Sequence, residues 1–167
     1  SGLELVSEKT VQEQKKLTKI YRLKNQIPVI YRQVPNSDIL EFGVYFKFGL
    51  RDLSSQEKYA GQLLFSTMPK AAAGFPKEKI FAITEKFALE LDCSSGIEAS
   101  SCSLGTLNDH WLEALPVFAA VVKSPSIVSE DLELVKQNEI SNVKDQIEDP
   151  GTAANDVVNQ VYYGSEH

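Results

Sequence analysis

Histidine is scarce in this chain: two occur in 167 residues, His110 and the last residue, His167. A protein zinc site takes three converging ligands, and a catalytic one keeps a fourth position open. Two remote histidines and a stray carboxylate do not make that pattern, so solvent-facing or locally bonded roles are expected for both. Cysteine is equally rare, with Cys93 and Cys102. Neither has a histidine in a convincing partner position, which argues against a nucleophilic thiol. No apolar run is long enough to span a bilayer; the longest, Ala114 to Val122, is interrupted by Pro116. An excess of positive charge is also missing. The net charge of −6 argues against nucleic acid as a partner. Lys15, Lys16, Lys19, Arg22 and Lys24 cluster around Tyr21, and without a folded nucleic-acid motif this suits a solvated strand better than a binding patch. The opening Ser1-Gly2-Leu3-Glu4-Leu5 lacks a basic segment followed by a long apolar core, so no secretory signal is visible. A cytoplasmic and a bacterial periplasmic address both stay open.

The composition is that of an ordinary soluble globular protein, 43% hydrophobic and 24% charged, and the length suits one domain with a substantial core. Turn signals at Lys24-Asn25-Gln26 and Pro35-Asn36-Ser37-Asp38 separate runs rich in Ile, Val, Tyr and Phe, which predicts early strands. Pro76 to Ile80 starts a helix, Leu89 to Leu104 reads as a hairpin, and a further helix follows Asn108 and ends near Lys123-Ser124-Pro125. Ser129 caps a long helix with Glu130 and Asp131 in its first turn, which suits the helix dipole. That helix runs to Glu148. Asp149-Pro150-Gly151 ends it, and Thr152 caps a last helix that stops at Gly164. The expected class is α+β, with an antiparallel sheet covered by helices.

Two features of this layout bear on chemistry. The hairpin arms, Ala88 to Ser94 and Ala99 to Leu104, carry one cysteine each. With the turn centred near Ile97, Cys93 and Cys102 face each other; a disulfide there would imply an oxidising compartment such as a periplasm, and two buried thiols are the alternative. On the long helix, Leu132, Val135, Val143 and Ile147 form one apolar stripe, and Glu139 falls at its centre. A carboxylate there is partly desolvated unless paired. A slight rotation of the helix would instead put Glu139 at the edge of the buried face.

The run Ile20 to Tyr31, followed by Phe42 to Asp52, resembles the opening hairpin and third strand of the pitrilysin/insulinase metallopeptidases, and the order and spacing of the later elements continue the likeness. The resemblance implies an α+β lobe of the mitochondrial-processing-peptidase-like type over residues 19–167, with 1–18 as a lead-in and the lobe cut short at its C-terminal end. An incomplete sheet of that kind would leave an unpaired edge and exposed apolar surface. In that family a helix next carries an inverted H-x-x-E-H motif, where both His bind zinc and the Glu activates water. Here the helix begins Tyr59-Ala60-Gly61-Gln62-Leu63-Leu64-Phe65, and the three motif positions fall on Gly61, Leu64 and Phe65. None of these can bind zinc or act as a base. Glu139 takes the place of the family's third ligand, as a relic. Other departures are Gln26 in place of the usual Gly, and Leu50 and Leu53 in place of the usual Ser and Glu.

Three functional readings follow from the resemblance. In the first, this chain is a non-catalytic lobe or subunit that encloses a peptide-binding chamber with a homologous, zinc-bearing partner lobe; no cofactor is expected in the chain itself. In the second, it is a catalytically dead homologue that serves as a structural or interaction protein. In the third, it is an active zinc endopeptidase with ligands outside this segment.

Overall fold

In a computed structural model, the described residues are 3–11, 16–54, 56–148, 151, 155, 157, 158, 161 and 162. The strands are β1 (Leu3–Val11), β2 (Lys16–Leu23), β3 (Pro28–Gln33), β4 (Ile39–Phe46), β5 (Glu90–Ser95) and β6 (Ser100–Leu107). The helices are α1 (Glu57–Thr67), α2 (Lys77–Phe87), α3 (Trp111–Lys123) and α4 (Ser129–Glu148), with short 3-10 turns at Leu50–Asp52, Met68–Lys70 and Asn108–His110. The fold is therefore α+β with antiparallel sheets and covering helices. Lys15, Asp149-Pro150, Thr152, Gly164 and His167 lie outside the described residues.

The chain divides into two compact units, Ser1–Ile39 and Leu40–His167. In the first, β1, β2 and β3 form an antiparallel sheet in that order. The segment read as a lead-in thus carries a strand of its own. Its register sets Glu4 opposite Arg22 and Glu8 opposite Lys19. The β2–β3 turn is closed by Gln26 N–H donating to Leu23 O at 2.9 Å. Gln26 itself has φ +69°. That left-handed conformation suits glycine and costs a residue with a Cβ roughly 1–2 kcal/mol.

In the second unit β6 is the central strand, flanked by β4 and β5. Strand alternation sends Ser100, Cys102, Leu104 and Thr106 of β6 inward, together with Phe42, Val44 and Phe46 of β4. Helices supply the other half of this core through Phe65, Met68, Ile80, Val117, Phe118 and Val121. Aromatic pairs cross the layer boundary: Phe42 lies 6.2 Å from Phe118 and Phe46 lies 5.6 Å edge-on to Phe65. The other face of β4 and β5 carries Glu41, Tyr45, Glu90, Asp92 and Ser94, all exposed. Asp131, buried in the first turn of α4, pairs with the Lys77 ammonium at the start of α2. That hydrogen bond raises the Lys77 pKa above the usual lysine value, against the opposing effect of desolvation.

The β5–β6 turn is tied to the segment ahead of α1. Leu50 N–H donates to Gly96 O at 2.9 Å, Arg51 N–H to Ile97 O at 3.1 Å, and the Arg51 guanidinium meets Glu98 at 2.9 Å. The approach is close because Gly49 has no side chain; a Cβ there would lie 2.3 Å from Ile97 O. Gly49→Ala is therefore expected to lower stability by roughly 1–3 kcal/mol, since the obstacle is backbone and cannot swing away. Gln26→Gly is expected to act in the opposite sense, raising stability by up to about 1 kcal/mol. Urea unfolding midpoints of the two variants check both signs.

Candidate functional site

Helix α1 is launched by Ser54 and Glu57. The Glu57 carboxylate accepts from the Ser54 hydroxyl at 2.6 Å and from its N–H at 3.1 Å, while Glu57 N–H donates back to Ser54 O at 2.9 Å. These bonds, the hydroxyl's first, hold the Glu57 pKa below the usual carboxylate value. The S-x-x-E spacing is that of a capping box, and one half of it forms: the Glu57 carboxylate takes the Ser54 N–H, while the Ser54 hydroxyl donates to that carboxylate and does not accept from Glu57 N–H. It was present in the sequence as a signal for where this helix starts.

From that start, α1 turns Gly61, Phe65 and Thr67 into the core and leaves Leu64 43% exposed. Gly61 is covered by two of the residues that depart from the family pattern. A Cβ at position 61 would lie 2.7 Å from Leu53 Cδ1 and 3.8 Å from Leu50 Cδ2. Phe65 packs edge-on against Phe46. On the alignment with the H-x-x-E-H motif, positions 61 and 65 thus form a packed apolar contact and position 64 is an exposed leucine, and none of these three residues can hold a metal ion.

Helix α4 packs against α1. Glu139 is half-buried on it and makes no hydrogen bond or ion pair among the described residues. The apolar stripe around it holds for its first half, with Val135 buried and Leu132 half-buried, but Val143 is 49% exposed. Nothing is described of the Ile147 side chain. Glu139 sits where the stripe leaves the packed body, and so its carboxylate reaches water. Among the described residues, no group of three or more His, Cys, Asp or Glu side chains could hold a metal ion. His110 is half-buried with its ring 5.0 Å from that of Phe87.

Cys93 and Cys102 are register partners on β5 and β6 and are joined by a disulfide, with the Cα atoms 4.0 Å apart. Both are buried. So short a Cα separation marks a non-hydrogen-bonded pair of an antiparallel ladder. The adjacent pairs, Asp92 with Ser103 and Ser94 with Ser101, then exchange the ladder hydrogen bonds. The N–H and C=O of Leu91 and Cys93 consequently point away from β6. β5 is the outer strand of its sheet among the described residues, and Cys93 is nevertheless buried there.

No protein-family model and no curated protein sequence matches the chain. Its fold, in contrast, matches solved structures. The M16 peptidase inactive domain from Pseudomonas fluorescens superposes with a TM-score of 0.70 at 20% identity, over 89% of this chain and 36% of that one. The periplasmic protease PqqL from Escherichia coli gives 0.72 at 11% identity, over 96% of this chain and 18% of that one. A mutant of the ferredoxin protease FusC, in complex with Arabidopsis ferredoxin, gives 0.65 at 13% identity over 98% of this chain and 18% of that one. The fold is that of an M16 peptidase lobe. This chain spans about a fifth to a third of the length of these proteins.

Two outcomes follow from this geometry. Rebuilding the motif as Gly61→His, Leu64→Glu and Phe65→His together is expected to lower the melting temperature, since the end of the Leu53 side chain must move aside and Phe65 gives up its contact with Phe46. Reducing the disulfide is expected to cost roughly 2–3 kcal/mol for so short a loop. The shift of the urea midpoint on adding a phosphine reductant measures it, and a Cys93→Ala/Cys102→Ala variant should be insensitive.

Proposed function

We propose that this chain is a non-catalytic lobe of the pitrilysin type, which binds peptide in extended form and completes a substrate chamber with a zinc-bearing partner lobe. The observation that carries the reading is the packed apolar contact at Gly61 and Phe65, set on the fold of an M16 lobe. Similarity to an inactive M16 domain supports it. Large apolar side chains that a partner would cover stand on the surface of the second unit, among them Tyr45, 78% exposed, and Leu134, 54% exposed.

The buried disulfide supports an oxidising compartment such as a bacterial periplasm. No helix among the described residues is long and apolar enough to cross a membrane. The reading as a catalytically dead interaction protein shares the packed motif face and differs in needing no peptide site.

Elemental analysis after dialysis against a weak chelator should find no zinc, and a quenched peptide library should be left intact with or without added zinc. Mixed with a zinc-bearing M16 lobe from the same genome, the chain should raise that lobe's cleavage rate. Stoichiometric zinc with chelator-sensitive cleavage by the chain alone would restore the active-enzyme reading. An unchanged rate, with no peptide binding, would favour the interaction protein.

A further inference from the structure

The inward face of the β5–β6 ladder is a stack of three facing pairs, Leu91 with Leu104, Cys93 with Cys102, and Ser95 with Ser100. The disulfide thus has an apolar pair on one side and, on the other, two hydroxyls bonded to each other at 2.9 Å. Its two halves are protected unequally. Cys102 is fully buried on the central strand, with β4 and β5 on either side. Cys93 is on the outer strand among the described residues, and its burial comes from what packs on that strand: α1 and the 3-10 turn Met68–Lys70. Phe65 and Met68, both buried, belong to this cover. We infer that Cys93 is the exchanging sulfur of the disulfide and that the Met68–Lys70 turn is a gate over it, so that thiols and disulfides in solution act on the bridge only while the gate is lifted.

The chemistry requires such an opening. A reductant thiolate must touch a sulfur of the bridge. Its sulfur bonds to Cys93 Sγ, the Cys93–Cys102 bond breaks, and Cys102 leaves as a thiolate that takes a proton. A second thiolate then bonds to the reductant's sulfur, Cys93 is released as a thiol, and the reductant departs as a disulfide. Two electrons have passed from two thiols to the chain. In the closed state the approach is blocked, and Cys102 would have to leave as an anion in the cluster that holds Leu104, Val117 and Val121, where burial disfavours charge. Closing the bridge runs in reverse: a disulfide donor bonds first to Cys93, and the Cys102 thiolate displaces it.

The choice of Cys93 follows from what must move. The chain beyond the turn is fastened by two backbone bonds, Ser126 N–H to Ala71 O at 2.9 Å and Ala73 N–H to Ser124 O at 3.0 Å. Lifting the turn breaks these few bonds, whereas baring Cys102 means parting β6 from a neighbouring strand or from the helices over it. Local openings of the first kind are more populated than unfolding. With the gate shut, the bridge persists among thiols that would otherwise reduce it.

The oxidised intact chain in native buffer with reduced glutathione tests this, with early acid quenching and peptide mapping by mass spectrometry. Glutathione is expected on Cys93 at least about tenfold more often than on Cys102. The bridge should be reduced at least about a hundredfold more slowly than in urea that unfolds the chain. Below the unfolding transition, the logarithm of the reduction rate should rise with urea less steeply than the equilibrium unfolding constant does, because a lifted turn exposes little surface. Equal labelling of the two cysteines, or more on Cys102, would overturn the assignment of Cys93. Reduction as fast as in the unfolded chain would show that no gate exists. A urea slope equal to that of global unfolding would also overturn the gate, since the bridge would then open only with the whole fold.

Discussion

The second unit depends on how closely α1 can approach the segment before it. A side chain at position 61 would have to push the end of Leu53 out of this contact. Here the missing Cβ of Gly61 lets Leu53 lie against the helix, with Leu50 beside it. The next inward position, Phe65, then reaches Phe46 of the sheet. Helix, preceding segment and sheet are thereby fastened at successive turns. The β5–β6 turn is drawn into the same assembly through the backbone bonds of Leu50 and Arg51. Dispersion contacts of this kind are weak singly and strong in aggregate, provided that no gap is left.

The element order after residue 40 could be read from the chain because its signals are strong and local. Pro76 and Ser129 mark helix starts, and alternation in Ser100–Leu107 marks a strand buried on one face. The early strand Leu3–Val11 was overlooked because the family likeness begins after it. Its own residues, rich in Leu, Val and Thr, did carry a strand signal. Glu139 shows the limit of periodicity: the stripe of Leu132, Val135, Val143 and Ile147 is continuous in sequence, yet Val135 is buried and Val143 is already exposed. A pattern specifies which face is apolar and not how far the neighbouring body extends.

The candidate site divides in the same way. That Gly61, Leu64 and Phe65 are unable to bind zinc is a matter of side-chain chemistry and needs no coordinates. That Leu50 and Leu53 are the residues lying over Gly61 is a tertiary fact. In the sequence they were two unrelated departures from a family pattern, eleven and eight positions away. The cover over Cys93 was hidden for a like reason. It is assembled from α1 and the Met68–Lys70 turn, and no local pattern records that these pack against β5. The disulfide lies between these cases, since the spacing of Cys93 and Cys102 allowed a facing pair and the register of β5 on β6 decides it.

The packing of Leu53 over Gly61 also couples the two positions. Any side chain at 61 displaces the end of the Leu53 side chain, so what position 61 accepts depends on the room that Leu53 finds elsewhere. A smaller residue at 53 makes that room at the expense of apolar contact with the helix. Substitutions at 53 and 61 are therefore not additive, and each position tolerates change best when the other changes with it.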